Sequence, residues 1–318
     1  MIAIGIDIGG TSIKGAAVYD DGKMLDVFSL PVVKGDSGET TINKLIDIVE
    51  KYIKDQGIAK DIVGIGIGIP GLLDVKKGIS VKSNNLGWED LPVVDMFNKR
   101  LPYPVRIAND ANVAAYGEAI YGAGKGVPYV IMLTLGTGVG GGIVLDGELY
   151  EGNKGQGAEL GHIVLRYKGR QCTCGRKGCL ERYASATGLV MDTEEAMAKH
   201  PESLMHQIVA EHGKIDGRIA FMAARQGDPV GMQVVDQYIS HLSEGILDYC
   251  NIFRPNVVIL SGGIANEGDY LFDRVNEYIK QQQYGFPRSP AVKVVPATLG
   301  YDSGKIGAAA LFLHEKNH

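Results

Sequence analysis

Apolar side chains alternate with small ones from Ile2 to Ile8, a pattern that predicts a buried strand running into the turn Gly9-Gly10-Thr11. A second strand follows from about Ser12 to Tyr19 and closes on Asp20-Asp21-Gly22, a strong hairpin signal. From Glu39 to Gly57, the positions Ile42, Leu45, Ile46, Val49, Tyr52 and Ile53 recur at helical spacing and predict an amphipathic helix. IVGIGIGI over 62–69 reads as a strand buried on both faces that ends on Pro70-Gly71. A short strand, Val105 to Ala108, precedes a helix from about Ala111 to Tyr121. Strands alternating with helices predict an α/β fold with a mostly parallel sheet and right-handed crossovers.

The same order recurs further on. Val130 to Leu135 predicts a strand running into a glycine loop, Gly136-Thr137-Gly138-Val139-Gly140-Gly141-Gly142. A strand Ile143 to Leu145 and the turn Asp146-Gly147 come next, and a buried strand from Val257 to Leu260 closes on Ser261-Gly262-Gly263. This is a two-fold internal repeat, which implies two related domains with the two Gly-Thr turns facing each other across a cleft. The segment from about Ser303 to His318 predicts a helix that returns to pack on the first domain. The expected division is 1–110 with 303–318 as a smaller domain and 111–302 as a larger one that carries a metal knuckle within 162–181.

Composition narrows the class. The chain has 318 residues, 45% of them hydrophobic and 22% charged, ordinary for a globular protein of about two domains. Its net charge of −5 gives no pull toward nucleic acid or anionic lipid. The start, MIAIGIDIGG, lacks the basic region of a secretion signal, and no apolar run nears the ~20 residues that span a bilayer. A cytoplasmic protein with no nucleic-acid or membrane partner is the expectation. Of four cysteines, Cys172, Cys174 and Cys179 fall within eight residues, too clustered for a disulfide framework.

The turn from Asp7 to Lys14 has the chemistry of a phosphate cradle. Gly9 and Gly10 let backbone N–H groups approach an anion, Thr11 and Lys14 add donors, and Asp7 can orient hydrated Mg²⁺. A plain hairpin is the alternative. Thr137 and Gly138 sit in a second such loop, and the pairing favours phosphate binding in both. Neither loop is a P-loop, because GxxxxGK[ST] is absent, and GTGVGGG opens no helix as a dinucleotide fingerprint would. Asn109-Asp110 follows a strand and begins a helix, where helix capping is the simple reading. Between two phosphate loops, a carboxylate there can instead take the proton from an attacking hydroxyl.

Glu159-Leu160-Gly161-His162 precedes Cys172-Thr173-Cys174-Gly175-Arg176-Lys177-Gly178-Cys179-Leu180-Glu181. Three thiolates and one imidazole complete a closed tetrahedral site, which points to structural rather than catalytic zinc. Free thiols or a redox pair are the alternatives, although Cys-x-Cys is not Cys-x-x-Cys. Glu159 and Glu181 bracket the knuckle, and bound metal would hold both rigidly. Cys250 lies in a helical stretch and reads as a buried apolar residue.

DIGGTSIKGA, ANDAN, LGTGVGGGIV, ELGH, CTCGRKGCLE and LSGGIA, in this order, resemble the ROK family of repressors and sugar kinases, within the sugar kinase, actin and heat-shock chaperone superfamily. The resemblance runs from Ile2 to about Ala310. It implies two ribonuclease-H-like domains of the actin-like ATPase fold closing over sugar and ATP. It implies Asp110 as the base acting on a sugar 6-hydroxyl, with Asn109, Glu159, His162 and Glu181 on the other sugar hydroxyls. It implies His162 with Cys172, Cys174 and Cys179 on zinc, phosphates on Gly9, Gly10, Thr11 and Thr137, and adenosine beside Gly262 and Gly263. Asn85-Leu86-Gly87-Trp88 resembles a segment of the family's glucokinases, so Asn85 joins the sugar-binding set and glucose is the expected substrate.

Kinases for N-acetylmannosamine or another hexose are the first alternative. A sugar-sensing regulator is the second; such regulators carry a helix-turn-helix before the first strand, which here begins at Ile2. The family forms dimers and tetramers, so a homodimer or homotetramer is expected.

Overall fold

The computed structural model describes residues 1–314; the end of the expected C-terminal helix, 315–318, lies outside the described residues. The chain divides into two compact units, one of 1–130, 142–158 and 298–318, the other of 131–141 and 159–297.

In the first unit, β1 (Ile2–Ile8), β2 (Ser12–Tyr19) and β3 (Phe28–Pro31) form an antiparallel meander. Helix α1 (Gly38–Gln56) starts on the Ser37 cap and ends on Gly57 at φ +69°, the left-handed stop that glycine adopts without strain. Its buried face, from Ile42 to Ile53, is the one the periodicity predicts. β4 (Ile62–Ile69) pairs parallel to β1. A small sheet of β5 (Leu72–Asp74), β6 (Ile79–Ser83) and β7 (Trp88–Leu91) comes next, then α2 (Val93–Asn98). β8 (Val105–Asn109) pairs parallel to β4 and leads directly into α3 (Asp110–Tyr121). The main sheet therefore has the order β3-β2-β1-β4-β8.

The repeat is visible in the second sheet. It contains β9 (Val130–Leu135), β10 (Val139–Leu145) and β11 (Glu148–Tyr150). Four short-to-medium helices come next, α4 (Glu181–Ala184), α5 (Ala186–Lys199), α6 (Met205–His212) and α7 (Ile219–Arg225), then the long α8 (Pro229–Phe253). β12 (Val257–Ser261), α9 (Asp269–Gln282), β13 (Lys293–Pro296) and α10 (Ser303–Leu313) complete the described chain. The second sheet runs β11-β10-β9-β12-β13. Counting strands within each repeat, both sheets have the order 3-2-1-4-5.

Two expectations need correcting. The glycine run 136–142 is not one loop, because β10 begins at Val139 and only Gly136–Gly138 turn. Gly141 and Gly142 are glycine for packing: an added Cβ would lie 2.7 Å from Leu160 in the first case and 2.5 Å from the Ala115 Cβ in the second. The first unit also reaches past Asp110, since α10 packs along α3 as well as against β1 and β4. That packing is at backbone distance. A Cβ on Gly5, Gly66 or Gly307 would come within 1.9, 1.8 or 1.6 Å of a carbonyl oxygen, on α10 for the two strand glycines and on α3 for Gly307.

Candidate active site

In the first unit, the expected nucleotide and base residues converge on the ends of β1 and β8. Asp7 pairs with Lys14 across β1 and β2. Between them the Gly9 N–H donates to the Ser12 carbonyl at 3.0 Å, closing the turn, while Gly10 and Thr11 are exposed. An added Cβ at Gly10 would meet nothing within 4 Å, so the backbone there is open to approach.

Asn109 and Asp110 divide the work that the sequence left open between capping and chemistry. Asn109 is the cap of α3: its Oδ1 accepts from the N–H groups of Ala111 at 2.9 Å and Asn112 at 3.3 Å. Asp110 is spared that task. Its Oδ1 shares the Ala111 N–H at 2.9 Å, and burial raises its pKa above the usual carboxylate range. Asp7 rises to about 6, first through burial and then through the charge of Asp110, with Lys305 and Lys14 pulling the other way. Two carboxyls that feel each other beside a glycine turn favour a cation near them.

The Asn109 amide also donates to the Gly71 carbonyl at 3.4 Å. Gly71 lines a cavity of about 280 Å³ with Leu72, Lys82, Ser83, Asn84 and Asn85. Asn85 thus lines a space large enough for a monosaccharide, and Asn109 is tied to Gly71 on its wall. Sequence reasoning missed Gly304 and Lys305. A Cβ on Gly304 would lie 2.7 Å from the Asp7 carboxylate, and Lys305 is 2% exposed with its Nζ 2.7 Å from Asp302 Oδ1. The available signal was one lysine in the otherwise apolar helix Ser303–Leu313.

The second unit holds the other expected residues. Its Gly-Thr turn is anchored from several sides: the Ala186 N–H donates to the Gly136 carbonyl at 2.8 Å, and the Thr187 hydroxyl donates to the Thr137 carbonyl at 2.7 Å. Glu181 begins α4 and accepts the Val139 N–H at 3.2 Å. A Cβ on Gly138 would stand 2.3 Å from Glu181 Oε2, so any side chain there would displace that carboxylate. Gly262 takes φ +92° and passes so close to Leu135 that a Cβ would lie 2.4 Å from its carbonyl oxygen. Gly263 beside it has open space.

His162, Cys172, Cys174 and Cys179 present four ligand atoms within 4.8 Å of one another. A tetrahedron with Zn–S bonds of about 2.3 Å has S···S edges of about 3.8 Å and N···S edges of about 3.6 Å. The Cys174–Cys179 sulfurs are 3.7 Å apart, and Cys172 Sγ is 3.7 Å from His162 Nδ1. Those separations are right for ligands around one ion. Burial and the two neighbouring thiols push the Cys179 thiol up to about 12, so a thiolate set here needs a cation to hold it. The donor set fits zinc. The knuckle is tightly wound, with the Cys172 N–H donating to the Arg176 carbonyl at 2.8 Å and Gly178 at φ +84°. Cys172 Sγ also lies 3.5 Å from Glu181 Oε1, which sets the knuckle against the carboxylate that accepts the Val139 N–H. Glu159 directly precedes the single turn Leu160–His162. Cys250 is buried in α8, and burial raises its thiol to about 11.

A model of the ROK family matches residues 3–315. A glucokinase of Halalkalibacterium halodurans is 35% identical over 317 residues, which are 99% of this chain and 96% of that enzyme. A xylose repressor of Caldicellulosiruptor bescii is 30% identical over 79% of this chain and 63% of the repressor. Among solved structures, a ROK family glucokinase from Streptomyces griseus in complex with glucose and AMPPNP is 33% identical, with a TM-score of 0.78 over 99% of this chain and 100% of that one.

Proposed function

This chain belongs to the ROK family, and on that premise we propose that it is a glucokinase, transferring the γ-phosphoryl group of ATP to the 6-hydroxyl of glucose. The observation that carries the reading is the carboxyl pair of Asp7, near the end of β1, and Asp110, at the start of α3. Full-length similarity to glucokinases supports the substrate.

Asp110 takes the proton of the sugar 6-hydroxyl as that oxygen forms its bond to phosphorus and the bond to the β-phosphate oxygen breaks. Its raised pKa suits proton acceptance near neutral pH better than an ordinary aspartate would. Asn109, spent on its cap through Oδ1, offers its amide to the sugar together with Asn85, Glu159, His162 and Glu181. The exposed backbone at Gly10, next to Gly9 and with Thr11 and Lys14, takes phosphate oxygens. Thr137 and Gly138 do the same from the second turn, and Gly262 and Gly263 bound the adenosine. Mg²⁺, when bound with the nucleotide, would neutralise phosphate charge, and Asp7 is the side chain to hold it through water. Zinc on His162, Cys172, Cys174 and Cys179 would be structural, since four protein ligands leave no open position. The substrates are sugar and ATP, with no nucleic-acid or membrane partner, in a cytoplasmic homodimer or homotetramer. No helix among the described residues is long and apolar enough to cross a membrane.

Replacing Asp110 with Asn keeps volume and removes proton acceptance. Asp110→Asn should lower kcat by ~10²–10⁴ while glucose affinity by calorimetry changes little. Near-normal turnover in this variant would refute the assignment.

A further inference from the structure

Glu118 lies on the third turn of α3 and is completely buried. Its carboxylate accepts from four donors. The Ala123 N–H reaches Oε2 at 2.9 Å, the Leu299 N–H reaches Oε1 at 2.7 Å, and Thr298 gives both its N–H, 2.9 Å from Oε1, and its hydroxyl, 3.2 Å from Oε2. A Cβ on Gly122 would lie 2.1 Å from Oε2, so glycine at that position leaves the space the carboxylate occupies. A buried acceptor satisfied this fully, by backbone amides from a segment 180 residues away in the chain, fixes the position of that segment.

The importance of the segment lies in the helix it leads into. Thr298 is the first residue of the stretch that returns to the first unit, and five residues later α10 begins at Ser303. At that end of α10, Gly304 abuts the Asp7 carboxylate, and the buried Lys305 offsets part of the charge of Asp7. Glu118 and Asp110 are on the same helix, α3. One rigid helix therefore carries the base at its start and, two turns on, the clamp for the backbone that packs against Asp7.

We propose that Glu118 is a positioning residue for Asp7, and through it for Mg-nucleotide, acting by holding Thr298 and Leu299 so that Gly304 and Lys305 stay seated on that carboxylate. This rests on the glucokinase reading for Asp7 and on the geometry alone for the clamp. Gln in place of Glu118 would turn an N–H₂ group toward amide donors and break the clamp on one side. Asp would keep the acceptors one carbon short and restore part of it.

The experiment uses the full chain, with wild type, Glu118→Gln, Glu118→Asp and Thr298→Val, the last removing only the hydroxyl donor. Steady-state kinetics are measured against MgATP and glucose separately, and hydrogen exchange is read at residues 298–306. Glu118→Gln should lower kcat/KM for MgATP about tenfold and raise the Mg²⁺ needed for half-maximal rate, while KM for glucose stays within about twofold. Glu118→Asp should recover part of that loss, and Thr298→Val should shift KM for MgATP about twofold. Amides at 298–306 should exchange faster in the order Thr298→Val, Glu118→Asp, Glu118→Gln. If Glu118→Gln fails to fold, Glu118→Asp and Thr298→Val give the same reading. Equal losses toward MgATP and glucose, or an Mg²⁺ requirement that does not move, would overturn the proposal. Should wild type phosphorylate no sugar, the glucokinase reading fails; exchange then decides the clamp, unchanged protection at 298–306 overturning it and faster exchange in that order supporting it.

Discussion

The two Gly-Thr turns occupy the same place in the two sheets, after the first strand of each 3-2-1-4-5 repeat, yet they are built differently. The first, at Gly9–Thr11, is held by backbone hydrogen bonds from Gly9 to Ser12 and from Val32 to Thr11, faces open space at Gly10, and is flanked by Asp7 and Lys14. The second, at Gly136–Gly138, is pinned by Ala186, Thr187 and Glu181, with Glu181 itself in contact with the cysteine knuckle. Charge surrounds one turn and scaffolding surrounds the other. One backbone motif has thus been used twice, once beside carboxylates and once as a loop held against the cysteine knuckle.

That contrast can be broken from its rigid side first. Cys179→Ser removes one of four ligands from a site whose separations fit zinc. Zinc content should drop from about one per chain toward zero, and Tm should fall by roughly 10 °C or more, because metal binding energy is folding energy. Activity should fall with it as Glu181 loses its support. A metal-free protein with full activity and unchanged Tm would show that the knuckle holds without metal.

The turns themselves sharpen the comparison. Gly138→Ala places a Cβ 2.3 Å from Glu181 Oε2, while Gly10→Ala meets nothing within 4 Å. Overpacking of this kind costs about 1–3 kcal/mol, so Gly138→Ala should destabilise by that amount in chemical denaturation and weaken sugar binding. Gly10→Ala should leave stability within about 0.5 kcal/mol and act only on KM for ATP. Equal stability losses at the two positions would mean that the turns are not built differently.

An effect of similar size is expected on the charged side. Asp7 has its pKa raised to about 6 in the folded chain against a usual 3.8, so folding favours its protonated form. That contribution to stability is fully present below about pH 4 and is lost as pH rises toward and through about 6. Relative to Asp7→Asn, wild type should lose about 2–3 kcal/mol of stability between about pH 4 and pH 7 in the absence of nucleotide. A flat difference across that range would mean that Asp7 is not held in a buried, like-charged setting.

Much of this was legible in the sequence because it is written locally. The β2 strand runs from Ser12 to Tyr19 as its pattern predicts, and the buried face of α1 is the one its spacing marks. The internal repeat appears as two sheets of one strand order. The knuckle was readable because its four ligand residues span only 18 positions, from His162 to Cys179. What escaped depends on distant partners. The extension of β10 back to Val139 rests on Gly141 and Gly142 meeting Leu160 and Ala115, which propensity disfavours and packing demands. The small sheet β5-β6-β7 has strands of only three to five residues, too short to show a period. Glu118 reads as an ordinary helical glutamate until Leu299, 181 residues away, is brought to it. Lys305 likewise gains meaning only beside Asp7.

The central claim is sugar phosphorylation, and ADP release coupled to a panel of free sugars tests it most directly. Glucose should give the highest kcat/KM, with mannose and glucosamine weaker, fructose poor, and ATP hydrolysis without sugar slow, because a buried polar group left unpaired by the wrong sugar is costly. N-acetylmannosamine or allose exceeding glucose about tenfold would contradict the glucose assignment while leaving a kinase. ADP release that no sugar stimulates would contradict the account itself.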